Sequence, residues 1–189
     1  MLALFIYKER GYMKKLNIFL LDIKTQGKLA AATYIVALTF DMLELDIQSL
    51  DFFMGFLLAV SMSNLILLSY PLIEKKGVPQ NWKTGTAMVA TTMLIANLLE
   101  TSGAMPGDDI AIFYLFFCII TMSYVSAADG VIPNVWRYIT GIGAFGMTVI
   151  LFESFLFSTE TLGFLWISYL PLTYGFGIGN YLAWNKYEE

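Results

Sequence analysis

Six apolar stretches, each near the length of about 17–25 residues that a helix needs to cross a bilayer, fill most of this chain. They cover positions 29–45, 52–73, 85–101, 110–127, 138–157 and 162–184. The links between them are short and polar, with turn-forming residues in LDIQSLD, EKKGVPQNWKT, SGAMPGDD, ADGVIPNVW and STET. The apolar runs lack the strict alternation of membrane-barrel strands, and no link could hold a second domain. The pattern predicts an all-α integral membrane protein: one six-transmembrane-helix bundle over 29–184.

Composition points the same way. Charged residues make up 14% of the chain, against about 25% in a typical soluble domain, too few to cover a surface facing water. There is no histidine, and the single cysteine, Cys118, lies inside an apolar run. That excludes the common zinc constellations, histidine acid–base chemistry and any intrachain disulfide.

The charges also give an orientation. The leader 1–28, the links 74–83 and 128–137 and the tail 185–189 fall on one side of the bundle. They hold Lys8, Arg10, Lys14, Lys15, Lys24, Lys28, Lys75, Lys76, Lys83, Arg137 and Lys186, which are all eleven basic residues. Basic residues accumulate on the cytoplasmic side of membrane proteins. Both termini are therefore expected in the cytoplasm, in a multi-pass protein of a bacterial cell membrane. Trp82, Trp136 and Trp184 fall at the same inner boundary, where indole rings are expected at headgroup level.

The leader itself, YKERGYMKKLNIFLLDIKTQGK at 7–28, is amphipathic. Leu16, Phe19, Leu20 and Ile23 recur at helical spacing, with Lys14, Lys15, Asp22 and Lys24 between them. This predicts an N-terminal interfacial amphipathic helix leading into the first span, either as an anchor alone or also as a contact for a cytoplasmic partner. The opening MLALFIY lacks the basic region and cleavage site of a secretory signal. KERGYM resembles a translated ribosome-binding site, which makes Met13 a candidate native start.

The opposite side is acidic. Asp46, Asp51, Asp108, Asp109 and Glu160 fall in links, where a solvated face explains them. Asp41, Glu44, Glu100 and Glu153 fall within or at the ends of spans, where charge is costly unless it meets a cavity or a partner. Asp41 and Glu44 share a helix face, as do Asn97 and Glu100. One reading is an outward-facing acidic site that attracts a cationic substrate, peptide or ion. The other is that the spans end a turn earlier and these carboxylates touch water.

The remaining motifs carry no catalysis. GIGAFG (141–146) has the spacing of a dinucleotide loop but lies inside a span, where small residues serve close helix packing; GFGIG (175–179) is similar. ADGVIPNVWR lacks the later aspartate pair of lipid-headgroup transferases. Asp41 and Asp129 lie at opposite depths, unlike the pair in an intramembrane aspartyl protease, and no base is placed to activate a serine. Neither an enzyme nor a cofactor, a metal or a nucleic-acid partner is expected. Pro71 and Pro171, near Tyr70, Tyr169 and Tyr174, predict kinks in the second and sixth spans.

The leader MKKLNIFLLDIKTQGK, the inner link YPLIEKKGVPQNWKTG and the ending GNYLAWNKYEE resemble the small six-span permease subunits of ABC-type exporters. The resemblance implies a homo- or heterodimer working by alternating access with a separate cytoplasmic ATPase. It also implies energy transfer through the leader and the 74–83 link. Lys14, Lys15, Glu74, Lys75, Lys76, Trp82 and Lys83 would then be partner-facing, and 128–137 a second contact. Two other classes remain open: the substrate-binding membrane component of a vitamin importer, and a non-transporting immunity or regulatory protein.

Overall fold

Each apolar run becomes a helix, and five of the six helices begin several residues before the run that announces them. The computed structural model describes residues 22–43, 48–74, 76–104, 107–157 and 162–187. The helices are α1 (Ile23–Met42), α2 (Gln48–Glu74), α3 (Asn81–Thr101), α4 (Gly107–Ala127), α5 (Asn134–Phe157) and α6 (Tyr169–Lys186). Among the described residues the fold is all-α. The early starts have a simple cause: the first turn of a helix is polar and does not register as apolar sequence. Stretches of α2 and α5, over Phe52–Glu74 and Asn134–Phe155, are long and apolar enough to cross a membrane.

The start of α1 shows the effect most clearly. Asp22 caps it, with Oδ1 accepting the Thr25 N–H at 2.8 Å and Oδ2 accepting the Thr25 hydroxyl at 2.7 Å. Such a cap satisfies a donor that has no partner within the helix. Ile23, Lys24 and Lys28, read from sequence as the end of a separate interfacial helix, are instead the first turns of α1. The boundary placed between 28 and 29 thus falls inside a helix. The rest of the leader, with Lys14 and Lys15, lies outside the described residues.

The sixth run departs from expectation in another way. Gly163–Ser168 is a 3₁₀ helix, and the α-helix proper begins only at Tyr169. Pro171 has no N–H to bond to the carbonyl four residues back, and its ring clashes there, so an α-helix cannot propagate through it toward the N-terminus. In the first turn of α6 the missing N–H costs nothing. Pro71 lies within α2, which continues past it to Glu74.

The helices form a closed ring. Each packs on its neighbours in sequence, α6 returns to pack on α1, and α2 reaches across the middle to α4 and α6. Ring closure depends on glycine. A Cβ on Gly143 of α5 would overlap the Leu172 backbone, and one on Gly146 would overlap Ser168. On α6, Gly175 faces Thr140 of α5 while Gly177 faces Tyr34 and Ile35 of α1. The two glycine motifs therefore serve close approach, and α6 is wedged between α1 and α5. At one end of this seam Trp184 fills the notch left by Gly27. It is 0% exposed and tilts against Tyr187, not at a surface boundary as expected.

The core is centred on Phe176, with Tyr34, Phe117 and Tyr124 edge-on to its ring at 6.5, 5.4 and 5.9 Å. Hydroxyls within helices bond back to carbonyls one turn earlier: Thr39 to Ile35, Thr86 to Trp82, Thr140 to Trp136 and Thr173 to Tyr169, at 2.6–2.7 Å.

Three substitutions test these contacts. Gly143→Ala should destabilise the fold by about 1–3 kcal/mol through overpacking, read as a lower midpoint of thermal unfolding in detergent. Gly85→Ala, in α3 with open space around it, should be neutral or stabilise by up to about 1 kcal/mol. The bonds from Thr25 hold the Asp22 carboxyl below its ordinary range, so its contribution is present above the unfolded-state pKa. The thermal midpoint of Asp22→Ala should therefore lie below wild type at neutral pH, and the gap should close as the pH falls below about 4.

Candidate functional site

The up-and-down ring sorts the charges to its two ends. One end gathers the start of α1, the links α2–α3 and α4–α5, and the end of α6; it carries Lys24, Lys28, Lys76, Lys83, Arg137 and Lys186. The other gathers the ends of α1 and α3, the start of α4, the end of α5 and the start of α6.

At the basic end, Glu74 and Lys76 are exposed, while Trp82 and Lys83 in the first turn of α3 are half-buried. Trp82 packs against the core. The Lys76 ammonium reaches toward Gly130, so the α2–α3 and α4–α5 links lie side by side and offer one continuous surface. Arg137 is anchored there by an ion pair with Asp129 and lies over the Tyr138 ring, 5.2 Å from its centroid. Positive-φ glycines, Gly77 and Gly130, turn the chain in these two links. Lys75 lies outside the described residues.

The four acidic residues read as a candidate site separate into different situations. Asp41 and Glu100 are exposed at the ends of α1 and α3, close enough for their charges to act on each other. Glu44 lies outside the described residues. Glu153 is 8% exposed, within the last turns of α5. Its Oε2 accepts the Leu162 N–H at 3.0 Å, which ties α5 to the entry of the 3₁₀ turn. A structural role accounts for that carboxylate.

Beneath Asp41 and Glu100 lies a group of tyrosines. The Tyr114 and Tyr169 hydroxyls are within electrostatic range of both carboxylates, and that of Tyr34 is within range of Tyr169 and Tyr174. Tyr174 exchanges a 3.0 Å hydrogen bond with the Thr39 hydroxyl. Tyr114 donates to Asn97 Oδ1 at 3.0 Å, and Asn97 Nδ2 donates to the Met93 carbonyl at 2.7 Å. Tyr34 is 1% exposed and its hydroxyl has no hydrogen-bond partner. Phe117 and Phe176 floor the group, and below them the Tyr124 hydroxyl donates to Asn180 at 2.8 Å.

Tyr34 and Tyr114 went unnoticed in the sequence. Tyr34 precedes Asp41 by seven residues, two helical turns along one face; that signal was present. The partnership of Tyr114 with Asn97 depends on how α3 meets α4, which no spacing within one helix encodes. Among the described residues no three His, Cys, Asp or Glu side chains converge as metal ligands do. An anionic rim over π-faces and phenolic oxygens has the chemistry to hold a cation of low charge density. No family model, curated protein or solved structure matches this chain.

The structural reading of Glu153 is testable. Glu153→Ala, which takes the acceptor from the half-buried Leu162 N–H, should lower stability by about 1–3 kcal/mol. Glu153→Gln keeps an acceptor and should recover most of that loss in thermal unfolding. Equal losses in both variants would point to a role for the charge instead.

Proposed function

We propose that this protein is a six-span integral membrane protein with both termini cytoplasmic, the membrane subunit of a transporter that admits a cationic substrate at its acidic, outward end. Its basic end would engage a separate cytoplasmic ATPase, as the resemblance to export permeases implies.

The observation that carries the membrane reading is the outside of the ring. Every helix turns large apolar side chains outward: Val36 on α1, Phe53 on α2, Met88 on α3, Phe116 on α4, Ile142 on α5 and Leu170 on α6. Ile142 is 70% exposed. Exposed apolar surface on all sides is incompatible with a water-soluble monomer and suits a hydrocarbon solvent. The helices range from 18 to 27 residues, or about 27–40 Å at about 1.5 Å per residue, which matches a hydrocarbon core about 30 Å thick. Concentration of the basic residues at one end supports the orientation, and the acidic rim at the other supports a cationic substrate.

The fold also supports the ATPase reading in one respect. The adjacent α2–α3 and α4–α5 links form one charged surface at the basic end, on elements tied to the bundle.

Orientation can be read with single cysteines on a Cys118→Ser background. In intact cells a membrane-impermeant maleimide should label Ser102→Cys, and should label Lys76→Cys only after permeabilisation. The reverse pattern would overturn the orientation, and labelling of both sites in intact cells would overturn the six-span arrangement. For the partner, purification from the native host in mild detergent should recover a nucleotide-binding subunit, lost on Lys76→Glu with Lys83→Glu. Recovery of the protein without any ATPase would favour the non-transporting binder.

A further inference from the structure

One asparagine stands where a polar side chain is costly. Asn64 is exposed on α2, twelve residues past Phe52 and ten before Glu74 in the stretch of that helix long and apolar enough to cross a membrane. At about 1.5 Å per residue it lies about 15–18 Å from either end, the middle of a hydrocarbon core about 30 Å thick. We propose that the outward face of α2 is a self-association surface, on which Asn64 pairs with its own counterpart in a second copy of this chain. The proposal rests on the membrane reading above and names the partner of one face of the bundle.

The other asparagines inside the bundle show what such a residue takes from its surroundings. Asn97 and Asn180 also lie within helices, and both are buried. Each donates its Nδ2 to the carbonyl four residues back, Met93 at 2.7 Å and Phe176 at 2.8 Å. Each accepts at Oδ1 from a tyrosine of another helix, Tyr114 at 3.0 Å and Tyr124 at 2.8 Å. Asn64 has neither bond: among the described residues its amide has no hydrogen-bond partner. Gly55 and Met62, which face α3, lie about half a turn of the helix away from it, so Asn64 points away from that neighbour. Lipid chains offer an amide nothing to bond. A polar group brought to the same depth from outside the ring would satisfy it.

Symmetry selects the second copy. Copies inserted with the same charge-determined orientation are related by a two-fold axis along the membrane normal, so their α2 helices run parallel and residues near the axis meet their own counterparts. An amide is self-complementary in that position, donating through Nδ2 and accepting through Oδ1. A lysine or an aspartate there would meet like charge.

The rest of the face fits this pairing. Phe53, Val60 and Leu67 form one line and Leu57, Asn64 and Pro71 the next, each repeating every seven residues, the spacing that keeps two crossing helices in contact along their length. Phe53 is exposed, and Leu57, Val60, Leu67 and Pro71 are half-buried. A single asparagine on such a seam fixes its register and the number of partners.

Cross-linking of the full chain in the membranes of expressing cells tests the pairing. On a Cys118→Ser background, Val60→Cys and Leu67→Cys should form disulfide-linked dimers on mild oxidation. Met88→Cys, at a position 67% exposed on α3, should not. In mild detergent, Asn64→Leu should weaken self-association about three- to thirtyfold. Its thermal midpoint, taken at a dilution where both proteins are monomeric, should be no lower than that of wild type, because the amide bonds nothing within the bundle. Asn64→Gln keeps an amide and should retain most of the association. A monomeric wild type, equal association by Asn64→Leu, equal cross-linking at Met88→Cys, or capture only of a different protein would each overturn the proposal. Maleimide labelling is read beside it: the expected labelling with a monomeric wild type removes this interface and leaves the six-span reading, whereas protein that does not sediment with membranes overturns both.

Discussion

The ring exists because α6 can approach α1 and α5 at nearly backbone distance. Gly143 and Gly146 on α5 admit the start of α6, Gly175 lets it rest on Thr140, and Gly177 lets it rest on Tyr34. In the bilayer proposed for this bundle there would be no hydrophobic gain from bringing helices together, so van der Waals contact between smooth faces would have to hold them. The consequences reach the far end of the molecule. The same approach sets Thr39 against Tyr174 and places Phe176 between Tyr34 and Tyr124. A side chain at any of these glycines would move the tyrosines as a set.

Polar groups inside the bundle are satisfied mostly within their own helices. Most of the buried threonines and serines return their hydroxyls to their own helix, at Thr86, Thr140, Thr173 and Ser69 for example. That satisfies a donor without asking anything of a neighbour. Bonds between helices are fewer and join distinct layers: Tyr114 to Asn97 near the acidic end, Tyr124 to Asn180 below the aromatic floor. Among the described residues four buried polar atoms follow neither pattern: the Tyr34, Ser63 and Thr121 hydroxyls and the Trp184 indole N–H.

The two ends of the ring are built differently. The basic end is built of links held to the bundle and to each other, with Arg137 fixed on Asp129 and Lys76 reaching the neighbouring turn. The acidic end is graded from exposed carboxylates, through half-buried phenols, to a closed aromatic floor.

Much of this could be read from residues alone. The number of helices, their C-terminal limits at Thr101, Ala127 and Phe157, the separation of basic from acidic links and the packing role of both glycine motifs follow from local chemistry: hydropathy, turn residues and charge are properties of a segment by itself. Helix starts were misjudged because first turns are polar, and the 3₁₀ entry to α6 was missed because hydropathy does not distinguish one helix type from another. Asp41 and Glu100, which fall at the ends of apolar runs, stand exposed at the ends of α1 and α3, whereas the more deeply placed Glu153 accepts the Leu162 N–H nine residues on. What only the tertiary structure decided is which faces meet: that α6 closes on α1, that Trp184 fills the notch at Gly27, and that four tyrosines from three helices converge beneath two carboxylates from α1 and α3. Those relations depend on contacts between segments distant in sequence, and the physics of one segment carries no record of its neighbours.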